Sequence, residues 1–354
     1  MYNNKHRLKM TESYKVMSLF SGMGGMDVGF AEETVVHKNS IFSPDYTDET
    51  SDFVSLKRLP FEIVFQNDIL PEAKRIAELN GWAHNYHLKD IRDMLTENHE
   101  FPYADVITGG FPCQDFSHAG KRLGFDSNRG TLYQSYVEVV ARVKPLVFVA
   151  ENVNGLLTMA SEPIKQIVQD FSDVGYAVRY QLIKCEEHGI PQTRWRVIII
   201  GVRLDKVDKL PEDWNIITEN RGQTNVGCYF SHLQEPDETD DPAQKMYSKA
   251  ARLAKGQGQK EVLLNDFAPT MRAEHHGNIE FRRIDGGKNN EDKPERRLSV
   301  REAALIQTFP PSCILTEPKK PTSKAYKPIG NAVPPLLGYI VARKVLHILE
   351  LIRA

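Results

Sequence analysis

The chain has 354 residues, 41% of them hydrophobic, enough for one large domain and a smaller one around a real core. Mean hydropathy is −0.43 and no apolar run approaches the thickness of a bilayer, and the polar first ten residues hold no signal-peptide core. A net charge of −2 excludes a globally basic nucleic-acid binder, so any such partner must meet a local basic face. The four cysteines, Cys113, Cys185, Cys228 and Cys313, form no Cys-x-x-Cys pair, which argues against a disulfide framework or a structural zinc site and for a reducing compartment.

Residues 1–14 are a polar lead-in. Residues 16–20 read as a strand that runs into Ser21-Gly22-Met23-Gly24-Gly25, then a helix from Met26 to about Val36. Residues 37–60 are polar and irregular, as in an inserted loop. A second strand at 61–65 precedes a helix over about 71–80, with Pro71 in its first turn. A third strand ends near Leu88, before Asp90 and Ile91. The apolar run 104–108 is a fourth strand and leads into Gly109-Gly110-Phe111-Pro112-Cys113. Helix 130–143, strand 145–149, helix 155–174 and strands 177–183 and 196–202 follow. Such alternation predicts an α/β fold with a mostly parallel sheet.

From about residue 203 to 296 the alternation stops, and Asn, Gln, Gly and charge dominate. Residues 237–241 are acidic, whereas 245–260 carry Lys245, Lys249, Arg252, Lys255 and Lys260 and no acid. This stretch reads as a second, smaller domain. Helix returns at 299–308 and about 334–351. There are no internal repeats.

Gly22-Met23-Gly24-Gly25 sits where a doubly wound sheet takes a nucleotide-like ligand. The dinucleotide fingerprint wants a third glycine at position 27, which is Asp27, so that reading fails. Asp68, ending the second strand, can accept from ribose hydroxyls; Ile69 can stack on a purine; Asp90-Ile91 can meet an adenine amino group. Each also has a plain structural use, Asp as a helix cap and Ile as core. In order along successive strands they favour an adenosine ligand without a diphosphate. Pro112 stiffens the turn that carries Cys113, which places that thiol to be a nucleophile, although most free cysteines are simply small buried residues.

Phe20-Ser-Gly-Met-Gly-Gly25, Gly110-Phe-Pro-Cys-Gln114, Arg129-Gly-Thr-Leu-Tyr133, Glu151-Asn-Val153, Gln192-Thr-Arg-Trp-Arg196, Arg297-Leu-Ser-Val-Arg-Glu302 and Gly330-Asn-Ala-Val-Pro334 occur in one order. With these motifs the chain resembles the DNA cytosine-5 methyltransferases of the bacterial restriction–modification type. Residues 37–60 are longer than compact members carry, and Asp68 stands where many members have Glu.

The resemblance implies a Rossmann-like, S-adenosylmethionine-dependent methyltransferase domain over 1–202. It implies a target-recognition domain at 203–296 and a C-terminal segment, 297–354, that completes the catalytic domain. S-adenosylmethionine, with S-adenosylhomocysteine as product, would meet Phe20, the 22–25 turn, Asp68, Ile69, Asp90, Ile91, Gly110, Leu132, Asn331 and Ala332. Cys113 would add to cytosine C6, and Glu151 would hold N3, a carboxyl that burial would help keep protonated. Arg194 would contact cytosine O2, with Arg196 in support. The base would be flipped under a loop after Cys113. DNA contacts are expected from Gln114, Ser117, Lys121, Arg122, Arg129 and Gln192, and from Lys255, Arg272, His275 and His276. Duplex DNA is the expected partner, alongside a restriction endonuclease. A monomer in the bacterial cytoplasm, with no metal, is implied. A tRNA cytosine-5 methyltransferase and a catalytically silent DNA-binding regulator are the rival readings.

Overall fold

A computed structural model describes residues 13–41, 51–112, 132–159, 162–218, 222, 224–249, 261–273, 281–282, 296–317 and 322–353. Its centre is a seven-stranded sheet built from β1 (Tyr14–Leu19), β2 (Phe61–Asp68), β3 (Tyr86–Leu88), β4 (Val106–Gly109), β5 (Val147–Val153), β6 (Tyr176–Lys184) and β7 (Trp195–Arg203). The order across the sheet is β3-β2-β1-β4-β5-β7-β6. Neighbours from β3 to β5 are parallel, and β7 is antiparallel to both β5 and β6. The mostly parallel sheet expected from the sequence is therefore present, with one reversed strand that the alternation does not announce.

The strands alternate sides with period two. Val106, Val147, Val149, Ile198 and Ile200 face a core closed by helices α1 (Gly25–Ala31) and α8 (Pro335–Arg353). Ile107, Phe148, Ala150, Val197 and Ile199 face a second core, closed by α3 (Ile91–Thr96), α4 (Leu132–Val143) and α5 (Pro163–Asp173). Both faces are covered, which is why the strands read as unbroken apolar runs.

α1 meets α8 almost backbone to backbone. A Cβ on Gly29 would lie 2.2 Å from the Tyr339 nitrogen, and one on Gly25 2.1 Å from the Val333 oxygen. Chain ends as far apart as these are thus joined by a contact that only glycine permits. α1 stops at Ala31 rather than Val36, because Glu32 is already extended (φ −105°, ψ −178°) and Val35–His37 forms a strand. The described ends of the 37–60 stretch contribute a small sheet where a loop is expected: Val35–His37 pairs antiparallel with Phe53–Ser55, and Val36 and Val54 are buried. The helix expected over 155–174 is split into Gly155–Thr158 and α5, which Pro163 starts afresh.

A third core joins the two parts of the molecule. Met23 and Val28 of the first motif and Ala73 and Ile76 of α2 (Pro71–Leu79) pack with Val226, Tyr229, Phe230 and Met271. Leu298, the helix α6 (Val300–Ile306) and Ile329 of α7 (Tyr326–Asn331) complete it. α6 opens with a reciprocal capping box between Ser299 and Glu302. Glu302 is fully buried, and Arg296 clamps it with two hydrogen bonds of 2.8 and 2.7 Å. Arg301 holds Asp241 at 2.6 Å, so both basic residues tie the 203–296 stretch to α6. No described helix is long and apolar enough to cross a membrane.

Candidate active site

Register alone brings the expected motifs to one edge. Leu19 pairs with Asn67 and with Gly109, Gly109 with Ala150, and Val153 with Arg196. The residues that follow each strand (Phe20, Asp68, Gly110) and Glu151 near the end of β5 therefore surround one opening. It lies where strand order reverses between β1 and β4, the place at which open α/β sheets take their ligands. A cavity of about 640 Å³ occupies it, within the usual size for a small-molecule site.

One half of the cavity is a backbone cradle around Asp68. Gly22 N donates to Asp68 Oδ2 and Leu70 N to Oδ1, both at 2.8 Å. Burial pushes the Asp68 carboxyl up, and these amides pull it back. Gly22 (φ +55°) and Phe20 (φ +53°) both adopt the left-handed region, and Tyr86 Oη donates to the Gly22 carbonyl at 2.8 Å. Ile69 stands beside Asp68, 59% exposed, an apolar platform next to an acid. Leu132, Ile91, Gly110, Asn331 and Ala332 also line the cavity.

Three expected cofactor residues are differently placed or occupied. Met23 does not line the cavity; it is fully buried in the third core. Gly24 (φ +91°) only turns the chain, with Trp82 beside it. Asp90 reaches the wall, but its carboxylate caps α3 through Arg92 N and pairs with the Arg92 guanidinium at 2.6 Å. That is the capping use which its position also allowed.

The other half is polar and charged. Glu151 Oε1 pairs with Arg196 Nε at 2.7 Å, both side chains nearly buried. Glu151 Oε2 would lie 3.0 Å from a Cβ on Gly110. Gly110, Phe111 and Pro112 pass along the same wall. Asn152 Nδ2 donates to the Phe111 carbonyl at 3.0 Å and so pins the turn that leads into Cys113.

Arg194 and Arg196 both reach the cavity, as their spacing predicts, but their surroundings differ. The Arg194 guanidinium donates to the carbonyls of Met271 (2.9 Å), Gly330 (3.3 Å) and Ala332 (3.0 Å). Burial and the nearby Arg196 push it down to about 9. The arginine expected at the cytosine is therefore a tie between chain segments, and the one expected in support is paired with Glu151. Gln192 is fully buried; it donates to the Ile306 carbonyl and Gln307 and accepts from Met271 N.

Arg272 is exposed at the rim, its carbonyl packed on Gly330. Cys113, Gln114, Ser117, Lys121, Arg122, Arg129, Lys255, His275 and His276 lie outside the described residues. Among cavity residues that sequence reasoning left without a role, Asn152 was visible inside the Glu151-Asn-Val153 motif. Lys327 carried no local signal; α7 brings it to the wall near Asp68.

A Rossmann-like sheet with one reversed strand, and a cavity with an acidic cradle on one side and a Glu–Arg pair on the other, defines a methyltransferase of the S-adenosylmethionine-dependent fold. Residues 14–347 match the family model of the C-5 cytosine-specific DNA methylases. The chain belongs to that family and is a DNA (cytosine-5-)-methyltransferase. It is 32% identical to the type II methyltransferase M.BsuRI of Bacillus subtilis, over 94% of this chain and 79% of that one. It is 34% identical to the type II methyltransferase M.BspRI of Lysinibacillus sphaericus, over 95% and 82%. Among solved structures, the Entamoeba histolytica methyltransferase EhMeth shares the fold, with a TM-score of 0.64, 16% identity and coverage of 95% of this chain and 99% of that one.

Proposed function

We propose that the protein methylates C5 of a flipped-out cytosine within a specific duplex DNA sequence, and so protects host DNA from a partner restriction endonuclease. The observation that carries this is the buried Glu151–Arg196 pair, set on the wall beside Gly110–Pro112 and open to the cavity that holds the Asp68 cradle. In this reading residues 1–202 and 297–354 form the catalytic body, 203–296 read the DNA, and the protein acts as a monomer in the bacterial cytoplasm.

The cavity fits S-adenosylmethionine in size, in the exposed Ile69 platform, and in two buried polar atoms of its lining residues, Thr108 Oγ1 and Arg194 Nε, that lack a partner among the described residues. When bound there, S-adenosylmethionine supplies an electrophilic methyl group. The chain's own task is to make cytosine C5 nucleophilic. The Cys113 thiolate adds to C6 and sends its electrons toward C5, while Glu151 holds the ring at N3. Arg196 keeps Glu151 oriented and faces the base. Once C5 carries the methyl group, its proton passes to a base such as solvent water, the C5–H electrons re-form the C5–C6 double bond, and the C6–S bond breaks to return the Cys113 thiolate. Arg194 serves by holding Met271, Gly330 and Ala332 around the site.

Duplexes carrying 5-fluorocytosine test this, because fluorine cannot leave C5 as a proton does. A covalent adduct on Cys113 is expected. Absence of both adduct and methylation on every duplex tried would exclude the mechanism. Transfer to tRNA instead of DNA would establish the tRNA reading, and DNA binding without transfer the silent regulator.

A further inference from the structure

The turn Lys38–Ile41 lies in the 37–60 stretch, and it is held closely. Ser40 is fully buried. A Cβ on Gly189 would lie 1.9 Å from the Ser40 carbonyl oxygen, and one on Gly222 2.4 Å from the same atom and 2.6 Å from the Asn39 oxygen. The Ser40 hydroxyl meets the buried Tyr229 hydroxyl at 2.8 Å, and Asn39 Nδ2 lies 3.6 Å from Cys228 Sγ. Phe53, on the returning strand, sets its ring edge-on to Tyr229 and to His232, at 5.6 and 4.9 Å between centroids.

The two sides of this slot belong to different parts of the molecule. Gly189 ends a short helical turn (Cys185–His188) three residues before Gln192, and so leads directly into Arg194 and Arg196. Gly222, Cys228, Tyr229 and His232 belong to the 203–296 region. The Ser40 backbone is therefore the spacer between the strand lead that carries the arginines and that region. A contact in which backbone fills the space of two missing side chains cannot slide, because close-packed interiors transmit displacement rather than absorb it.

We propose that the Lys38–Ile41 turn is a positioning element that fixes the recognition region against the catalytic site and thereby sharpens the choice of DNA sequence. This rests on the DNA-methylating function proposed above. Gly222 is the residue to change. Its backbone is outside the left-handed region, so Gly222→Ala adds only bulk against Ser40, whereas Gly189 (φ +75°) would also strain the chain.

The test uses the full protein, expressed from a plasmid in a bacterial host that lacks cytosine-5 methylation. Bisulfite sequencing of the recovered plasmid reads the methylated sequence. Wild type is expected to define one site. Gly222→Ala is expected to raise methylation of sites differing by one base about tenfold relative to that site. KM for a cognate duplex should rise, with kcat at saturation and cofactor Kd nearly unchanged at a temperature where the variant is folded; its melting temperature should fall, because the added carbon meets Ser40 backbone. Tyr229→Phe, which removes one hydroxyl from the buried pair, should move site preference the same way by less, and it carries the test if Gly222→Ala does not fold. Unchanged site preference and KM in the folded variants would overturn the proposal. So would loss of cofactor binding in step with activity. A wild-type plasmid without 5-methylcytosine would instead overturn the methylating function.

Discussion

Glu151 and Arg196 form an ion pair with both side chains nearly buried, so removing one leaves the other poorly compensated. Glu151→Gln keeps the size of the side chain against Gly110 and removes its charge. It should lower kcat on duplex DNA by roughly 10²–10⁴-fold, with cofactor affinity by calorimetry almost unaltered; unchanged kcat would remove Glu151 from the chemistry. Arg194→Met should act differently. It strips the donor from three buried carbonyls, so its expected cost is stability, about 3–5 kcal/mol, read from the midpoint of urea unfolding. Another buried ionisable group, Asp27, makes a pH prediction. Burial lifts its carboxyl to about 6 from 3.8, although Gln66 Nε2 donates to it at 2.7 Å. Between those values the folded protein holds a proton that the unfolded chain releases. The stability that this proton gives is complete below pH 3.8 and is lost as pH rises through about 6, on the order of 3 kcal/mol in all. The stability difference between Asp27→Asn and wild type should therefore shift toward the variant from pH 4 to pH 7. A flat difference would mean that Asp27 ionises normally.

The helices divide by how much of their placement is written locally. α2 begins at Pro71 and α6 at the Ser299 capping box, as residue chemistry dictates. α1 and α8 are set by each other. Gly29 and Gly338 let them touch, and Gly25, read from sequence as part of a ligand-binding turn, also packs on Val333 just before α8. Gly29→Ala should destabilise by more than the ~1–3 kcal/mol of ordinary overpacking, because the added carbon meets backbone atoms that cannot rotate away. Equilibrium unfolding checks this. Gly81→Ala, with open space around it, should cost only its strained φ of +72°.

The cavity wall draws on distant parts of the chain. The Asp68 cradle comes from β1, β2 and their loops, while Asn331 and Ala332 come from the far end of the chain. Cofactor binding should therefore stabilise the entire fold. S-adenosylhomocysteine at a hundred times its Kd should add about 2.7 kcal/mol, and Asp68→Ala should abolish most of that gain at the same concentration. An equal rise in the variant would place the cofactor elsewhere.

Much of this was legible in the chain itself. Apolar runs of four to eight residues ending in glycine, proline or an acid marked the strands and the loops that follow them. Those signals are properties of adjacent residues, and motif order then tied them to one chemistry. The partners of Arg194 and Arg196 were not legible. Both arginines were found, but the carbonyls that occupy Arg194 lie 77 and 136 residues away. The reversal of β7, the burial of Gln192 and the Ser40 slot are of the same kind. Each depends on which distant surfaces meet when the cores close, and no local propensity encodes that meeting.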